Sequence, residues 1–182
     1  MGPQADATAL AAVALSQFAT PAARTASRRA LDWLAAAQLP NGGWQYPGTE
    51  GANANSTGLA IFALRSTRPT SPAVRRGTRF LTSLARACAS GGGLPYQAGG
   101  PANMLAGAQG SWGLGARMPV TSSTLRRNPA CTAAPRDRVA SALTTAIMTS
   151  GLLPSSFGSG SDPAATAAAV IGLAGICLLY TS

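Results

Sequence analysis

The sequence predicts an all-α protein assembled from stacked helical hairpins. One observation is compositional: 46% of the 182 residues are hydrophobic, enough for a sizeable core, yet only 5% are aromatic and alanine dominates. Small side chains let helices approach closely, and alanine has the highest helix propensity. A second observation is a segment that recurs at a spacing near fifty residues, the kind of period that marks stacked helical repeats. Thirdly, an amphipathic segment of a different type falls between the copies, so two kinds of helix alternate.

The recurring segment runs from Asp6 to Leu15 and again from Asn55 to Leu64, with weaker copies from Asn103 to Trp112 and from Ala164 to Leu173. Each is apolar nearly all round and opens on Asp, Asn or a Ser-Asp-Pro cluster, as expected of capped helices enclosed by others. These are the expected inner helices. The stretch Met1 to Arg24 reads as one helix of the fold rather than a secretory signal, because it lacks a basic start and carries Asp6 inside its apolar run.

The second segment type begins at Arg28, where Ala30, Trp33, Leu34 and Ala37 share one face and Arg28, Arg29 and Asp32 lie off it. Its next copy, Val74 to Cys88, gathers Val74, Gly77, Phe80, Leu81, Leu84 and Cys88, and a fainter copy spans Arg138 to Thr149. This pattern predicts outer helices. A Gly-rich corner follows each one: Asn41 to Pro47, Gly91 to Gln97 and Gly151 to Phe157. Glycine tolerates the turns that reverse the chain, and the aromatic or Pro residues cover the hairpin end.

The net charge of +9 comes from fourteen arginines and no lysine against five acids, a bias that weakens any argument from charge. The arginines fall in scattered pairs without the interleaved aromatics of a base-stacking surface, so no nucleic acid is expected as a partner. With no histidine and five scattered acids (Asp6, Asp32, Glu50, Asp137, Asp162), the chain lacks the commonest general base and metal ligand, and neither a catalytic residue nor a metal site is expected. Cofactors are expected to be none. Cys88 and Cys131 either pair as a disulfide in an exported protein or stay as two buried thiols. The run Ala164 to Tyr180 is too short and too rich in Ala and Gly for a membrane span.

The residues Arg29, Ala30, Trp33, Leu34, Gln38, Gly42 and Trp44 follow the spacing Arg-Ala-x-x-Trp-Leu-x-x-x-Gln-x-x-x-Gly-x-Trp. This resembles the QW motif of squalene and related terpene cyclases, in the terpene cyclase and prenyltransferase superfamily. The resemblance implies an α/α toroid, here an incomplete ring of about three hairpins. It also implies that Gln38 ties the end of an outer helix and Trp44 covers it. The second copy departs from the motif, with Arg86 or Ala87 in place of the Gln and Leu94 in place of the Trp. Ala54 to Ala60 also looks like the inner helices of exported actinobacterial proteins that carry these repeats.

The chemistries of that superfamily use an Asp-rich Asp-x-Asp-Asp acid, a zinc held by Asp, Cys and His, or a Cys-Gly-Glu-Gln thioester. None of these motifs is present. The expectation is therefore a non-catalytic repeat domain, extracellular or on the cell surface, whose concave face binds a hydrophobic small molecule or a protein. The candidate ligand-binding residues are Trp44, Tyr46, Asn53, Asn55, Tyr96 and Asn103, because corners and inner-helix starts meet at one end of the ring. The alternative is a fragment of a terpene cyclase lacking its acid motif, in which Asp6 or Asp162 could face the cavity.

The expected organisation is repeats over 1–117, a Ser/Thr/Pro linker over 118–137 and a further hairpin, of the same or a second repeat block, over 138–176. Residues 177–182 resemble a peptide encoded by a sequencing adapter and are expected to be an artefact. Both ends read as cut from a longer chain.

Overall fold

A computed structural model describes residues 3–115, 130–150, 152–155 and 160–177. It contains α1 (Ala5–Ser16), α2 (Pro21–Ala36), α3 (Ala54–Thr67), α4 (Pro72–Leu84), a 3-10 turn at Cys88–Ser90, α5 (Met104–Leu114), α6 (Pro135–Ser150) and α7 (Pro163–Cys177). Among the described residues there is no strand, so the all-α expectation holds. Helix α3 lies between α1 and α5, and α7 packs on the far side of α5, which makes α1, α3, α5 and α7 a row of inner helices. Helices α2, α4 and α6 flank α1, α3 and α5 from outside.

Five helices start where the chain supplies a side-chain cap, whereas α1 opens at Gln4 without one and Asp6, expected to open it, lies in its first turn. Asn53, Asn103 and Asp162 each accept from the backbone N–H three residues on, all at 2.8 Å, and so open α3, α5 and α7. Thr20 and Ser71 do the same for α2 and α4, with Pro21 and Pro72 at the first helical position, where no N–H is needed.

Each outer helix returns to the row through a corner closed by an antiparallel bridge: Trp44 with Asn53, Pro95 with Ala102 and Pro154 with Ser161. The N–H groups of Asn53, Asn103 and Asp162 donate to the carbonyls of Trp44, Leu94 and Leu153 at 2.9, 2.8 and 2.8 Å. Trp44, Leu94 and Leu153 are thus equivalent positions, and all three are buried. Gly42 adopts φ +91° with the Arg76 carbonyl where a Cβ would stand, 2.7 Å away, so only glycine fits that corner.

The core sits on α3, in which every residue from Ala54 to Leu64 is buried. Small residues make this enclosure possible. A Cβ on Gly58 would lie 2.6 Å from the Gly110 Cα, so α3 and α5 touch backbone to backbone there.

Several expected boundaries move. The stretch read as one helix from Met1 to Arg24 breaks after Ser16, because the Thr20-Pro21 pair starts α2 seven residues before Arg28. On α2 the buried residues are Ser27, Leu31 and Leu34, while Trp33 is half-buried. Helix α4 ends at Leu84, so Cys88 lies beyond the apolar face on which it was expected. It is exposed in the 3-10 turn and joined to Cys131 by a disulfide. Helix α6 begins at Pro135, inside the expected 118–137 linker, of which residues 118–129 fall outside the described residues. The third inner helix aligns through its cap, so Asn103 is equivalent to Asn53 and not to Asn55. Of the expected 177–182 artefact, 178–182 lie outside the described residues.

Gly58→Val is expected to lower stability by about 2 kcal/mol or more through overpacking against α5, measured by urea unfolding. The disulfide closes a loop across a separation of 43 residues, so reduction is expected to cost about 4 kcal/mol in the chain-entropy account. Thermal melts with and without dithiothreitol would show it, with Cys88→Ser/Cys131→Ser indifferent to the reductant.

Candidate functional site

The Gln38 amide nitrogen donates to the Gly42 carbonyl at 2.7 Å and to the Ala73 carbonyl at 2.9 Å, and its oxygen accepts from Arg76. One side chain thus ties the end of α2 to its own corner and to the start of α4. The Trp44 indole N–H donates to the Leu34 carbonyl at 2.8 Å, and its backbone N–H to Thr57 Oγ1 at 2.9 Å. Leu34 is fully buried, Trp33 half-buried, and Arg29 exposed with no role in these ties.

In the second corner the tie is built from arginines. The Arg86 guanidinium reaches the Gly100 carbonyl, and that of Arg138 reaches the Ala85 carbonyl, both at 3.1 Å.

The corner end gathers the expected ligand-binding residues but gives them different surroundings. Trp44 is 1% exposed with its N–H engaged, a cover for the hairpin rather than a wall open to a ligand. Asn53 and Asn103 cap α3 and α5. Tyr46 is exposed to solvent. Tyr96 is half-buried, and its carbonyl accepts from the Ala54 N–H at 2.9 Å, which joins the second corner to the first. Asn55 stands apart: its amide donates to Gln109 Oε1 on α5 at 2.9 Å.

The geometry of α3 assigns faces to the inner helices. Ile61 packs against Gly77 of α4, Gly58 against α5, and Ser56 lies beside Asp6 of α1. Asn55, Leu59 and Phe62 therefore share the remaining face, turned away from the outer helices. These are the second, sixth and ninth residues after the cap Asn53. The same count gives Asp6, Leu10 and Val13 on α1, Leu105, Gln109 and Trp112 on α5, and Ala164, Ala168 and Ile171 on α7.

Contacts run along this inner face from helix to helix. The Phe62 and Trp112 rings meet edge to face at 5.0 Å, and the Trp112 indole donates to the Ala168 carbonyl at 2.7 Å. Leu10 and Ile171, at the two ends of the row, are 48% and 37% exposed.

The corner end of the inner face is polar. Among the described residues, Asp6 Oδ1, Asn55 Oδ1 and Ser56 Oγ are buried without a hydrogen-bond partner. Burial pushes the Asp6 carboxyl up from its ordinary value, and the neighbouring Ser56 hydroxyl opposes that shift. Among the described residues no three His, Cys, Asp or Glu side chains gather to hold a metal, and no helix is long and apolar enough to cross a membrane.

Leu59, Phe62, Gln109 and Trp112 were not singled out from the sequence as site residues. Counting from each cap would have found them, once the caps were placed in register.

Fold and face together define an all-α protein of stacked helical hairpins with a continuous inner face. No family model matches the chain and no curated protein is similar to it. Among solved structures it is similar to a protein from Actinoplanes known from a crystal structure, with 21% identity and a TM-score of 0.51 over 95% of this chain. The likeness is one of fold, and this chain spans 66% of that protein's length.

The raised pKa of Asp6 fixes the sign of a pH effect. The folded state favours the neutral carboxyl, so its contribution is fully present below the unfolded value near 3.8 and is lost as pH rises through the higher folded value. Asp6→Asn is therefore expected to raise the melting temperature at pH 7 and to give no gain near pH 3, measured by thermal melts across that range.

Proposed function

We propose that this chain is a non-catalytic repeat domain of the prenyltransferase and squalene-oxidase type, an arc of an α/α toroid that binds a hydrophobic ligand or a protein segment on its concave inner face. The observation that carries the reading is an apolar line at repeat-equivalent positions opposite the outer helices, in which Leu10 and Ile171 are exposed, Val13, Leu105 and Trp112 are half-buried, and Leu59 and Phe62 are buried beneath them. An array whose outer helices carry arginine and whose inner face carries leucine and aromatics presents its apolar surface to whatever lies within the curve. The Cys88–Cys131 disulfide supports an oxidising, extracellular or cell-surface setting. The Actinoplanes likeness supports the fold beneath the proposal.

The second reading, a fragment of a terpene cyclase, is favoured by the position of Asp6 on the inner face. Asp6 stands without the neighbouring acids of an Asp-x-Asp-Asp motif, which argues the other way. The non-catalytic reading is therefore preferred.

Titration of the full chain with farnesol is expected to change tryptophan emission saturably. The variant Leu10→Asp/Ile171→Asp should weaken binding about tenfold or more, because each leucine-sized contact contributes about 1.5 to 3 kcal/mol when fully buried. A response that never saturates, or one the variant leaves unchanged with circular dichroism intact, would remove the inner face as the ligand surface.

A further inference from the structure

At the end of the row opposite the corners, the last turn of α1, the first turns of α2 and the end of α3 enclose an open cleft of about 660 Å³. Its floor is Leu31 and Ser27, both buried, and the Ser27 hydroxyl is fixed on the Ala12 carbonyl at 3.0 Å. Arg24 and Arg28 stand one helical turn apart on the α2 wall, and Arg68 faces them from the end of α3. Arg68 is held in place by Asp32, at 2.7 Å.

That ion pair engages Asp32, which lies one turn from Arg28 on the same helix. Three arginines thus line the cleft against the Asp32 carboxylate, an excess of two positive charges. Like charges one turn apart on a helix repel each other, so Arg24 and Arg28 are mutually unfavourable without an anion between them. The hydroxyls of Thr25 and Thr67 on the rim add hydrogen-bond donors of the kind a phosphate oxygen accepts.

We infer that this cleft binds a phosphate-bearing ligand, with Arg24 and Arg28 as its ligands and Arg68, braced by Asp32, as the third. Guanidinium forks match tetrahedral oxyanions in geometry as well as in charge. Leu31 in the floor offers an apolar contact to the group esterified to the phosphate. The inference rests on α1, α2 and α3 alone and is independent of the reading given to the inner face. The same chemistry is offered by a soluble phosphate ester and by the headgroup of an anionic lipid.

The test uses the full chain in two arms at matched ionic strength: titration with inorganic pyrophosphate, followed by calorimetry, and sedimentation with vesicles of phosphatidylcholine with or without phosphatidic acid. Saturable binding in either arm is expected, and the arm that responds identifies the source. Arg24→Gln/Arg28→Gln should weaken it roughly tenfold or more, as loss of charge-assisted hydrogen bonds does. Arg75→Gln/Arg79→Gln, which removes the same charge from the exposed side of α4, should leave it within about twofold.

Equal losses in the two variants would show general charge attraction and overturn the site, as would no binding in either arm. If Arg24→Gln/Arg28→Gln melts early, Arg68→Gln serves as the second variant, with the same outcomes required.

Discussion

The close approach of the inner helices is the constraint on which the rest depends. Gly58 sets α3 against the backbone of α5 at Gly110, and on its other side Ser56, Ala60 and Ala63 complete an enclosed helix. A helix buried on every side cannot expose its ends either, so each start must find its partners within the corner. This explains why Asn53, Asn103 and Asp162 combine a side-chain cap with a backbone bond to the preceding corner.

That corner geometry aligns the inner helices in parallel, with their N-termini at the corner end and Asp6 of α1 beside Ser56 of α3. Parallel helix dipoles place partial positive charge at that end and partial negative charge at the other. The chain answers with Asp6 and Asp162 at the starts and with Arg65 and Arg68 at the end of α3. Burial draws the Arg65 pKa down, but its guanidinium stays charged and bonds the Gly113 carbonyl at 2.5 Å, where α5 ends. The same polarity leaves arginines to gather in the cleft between α2 and α3 and keeps the orphaned acceptors of Asp6 and Asn55 at the corner end.

The ties between hairpins are local solutions to one problem, joining the end of an outer helix to its corner and to the next hairpin through backbone carbonyls. Gln38 and Trp44 solve it with an amide and an indole in the first corner. In the second, Leu94 fills the place of Trp44, and Arg86 and Arg138 reach the backbone carbonyls instead. A longer, charged side chain can replace a glutamine because the requirement is a donor at the right reach, not a particular residue.

Much of this was legible in the sequence. The alternation of enclosed and amphipathic segments reports a local property, side-chain periodicity, and gave the helix order. Caps such as Asn53 and corners such as Gly42 to Trp44 are likewise set by nearby residues. The break at Thr20-Pro21 was missed because the apolar run around it hid a capping signal. The pairing of Cys88 with Cys131, left open by spacing, required knowing where α4 ends and α6 begins. The inner face was not legible for a physical reason: a helix apolar all round has no periodicity to say which side is which. By itself, the sequence determined that helices of two kinds would alternate and stack. Only the packing of Ile61 on α4, Gly58 on α5 and Ser56 beside α1 decided that Leu59, Phe62 and Trp112 share a face, since facing is a relation between helices and not a property of one.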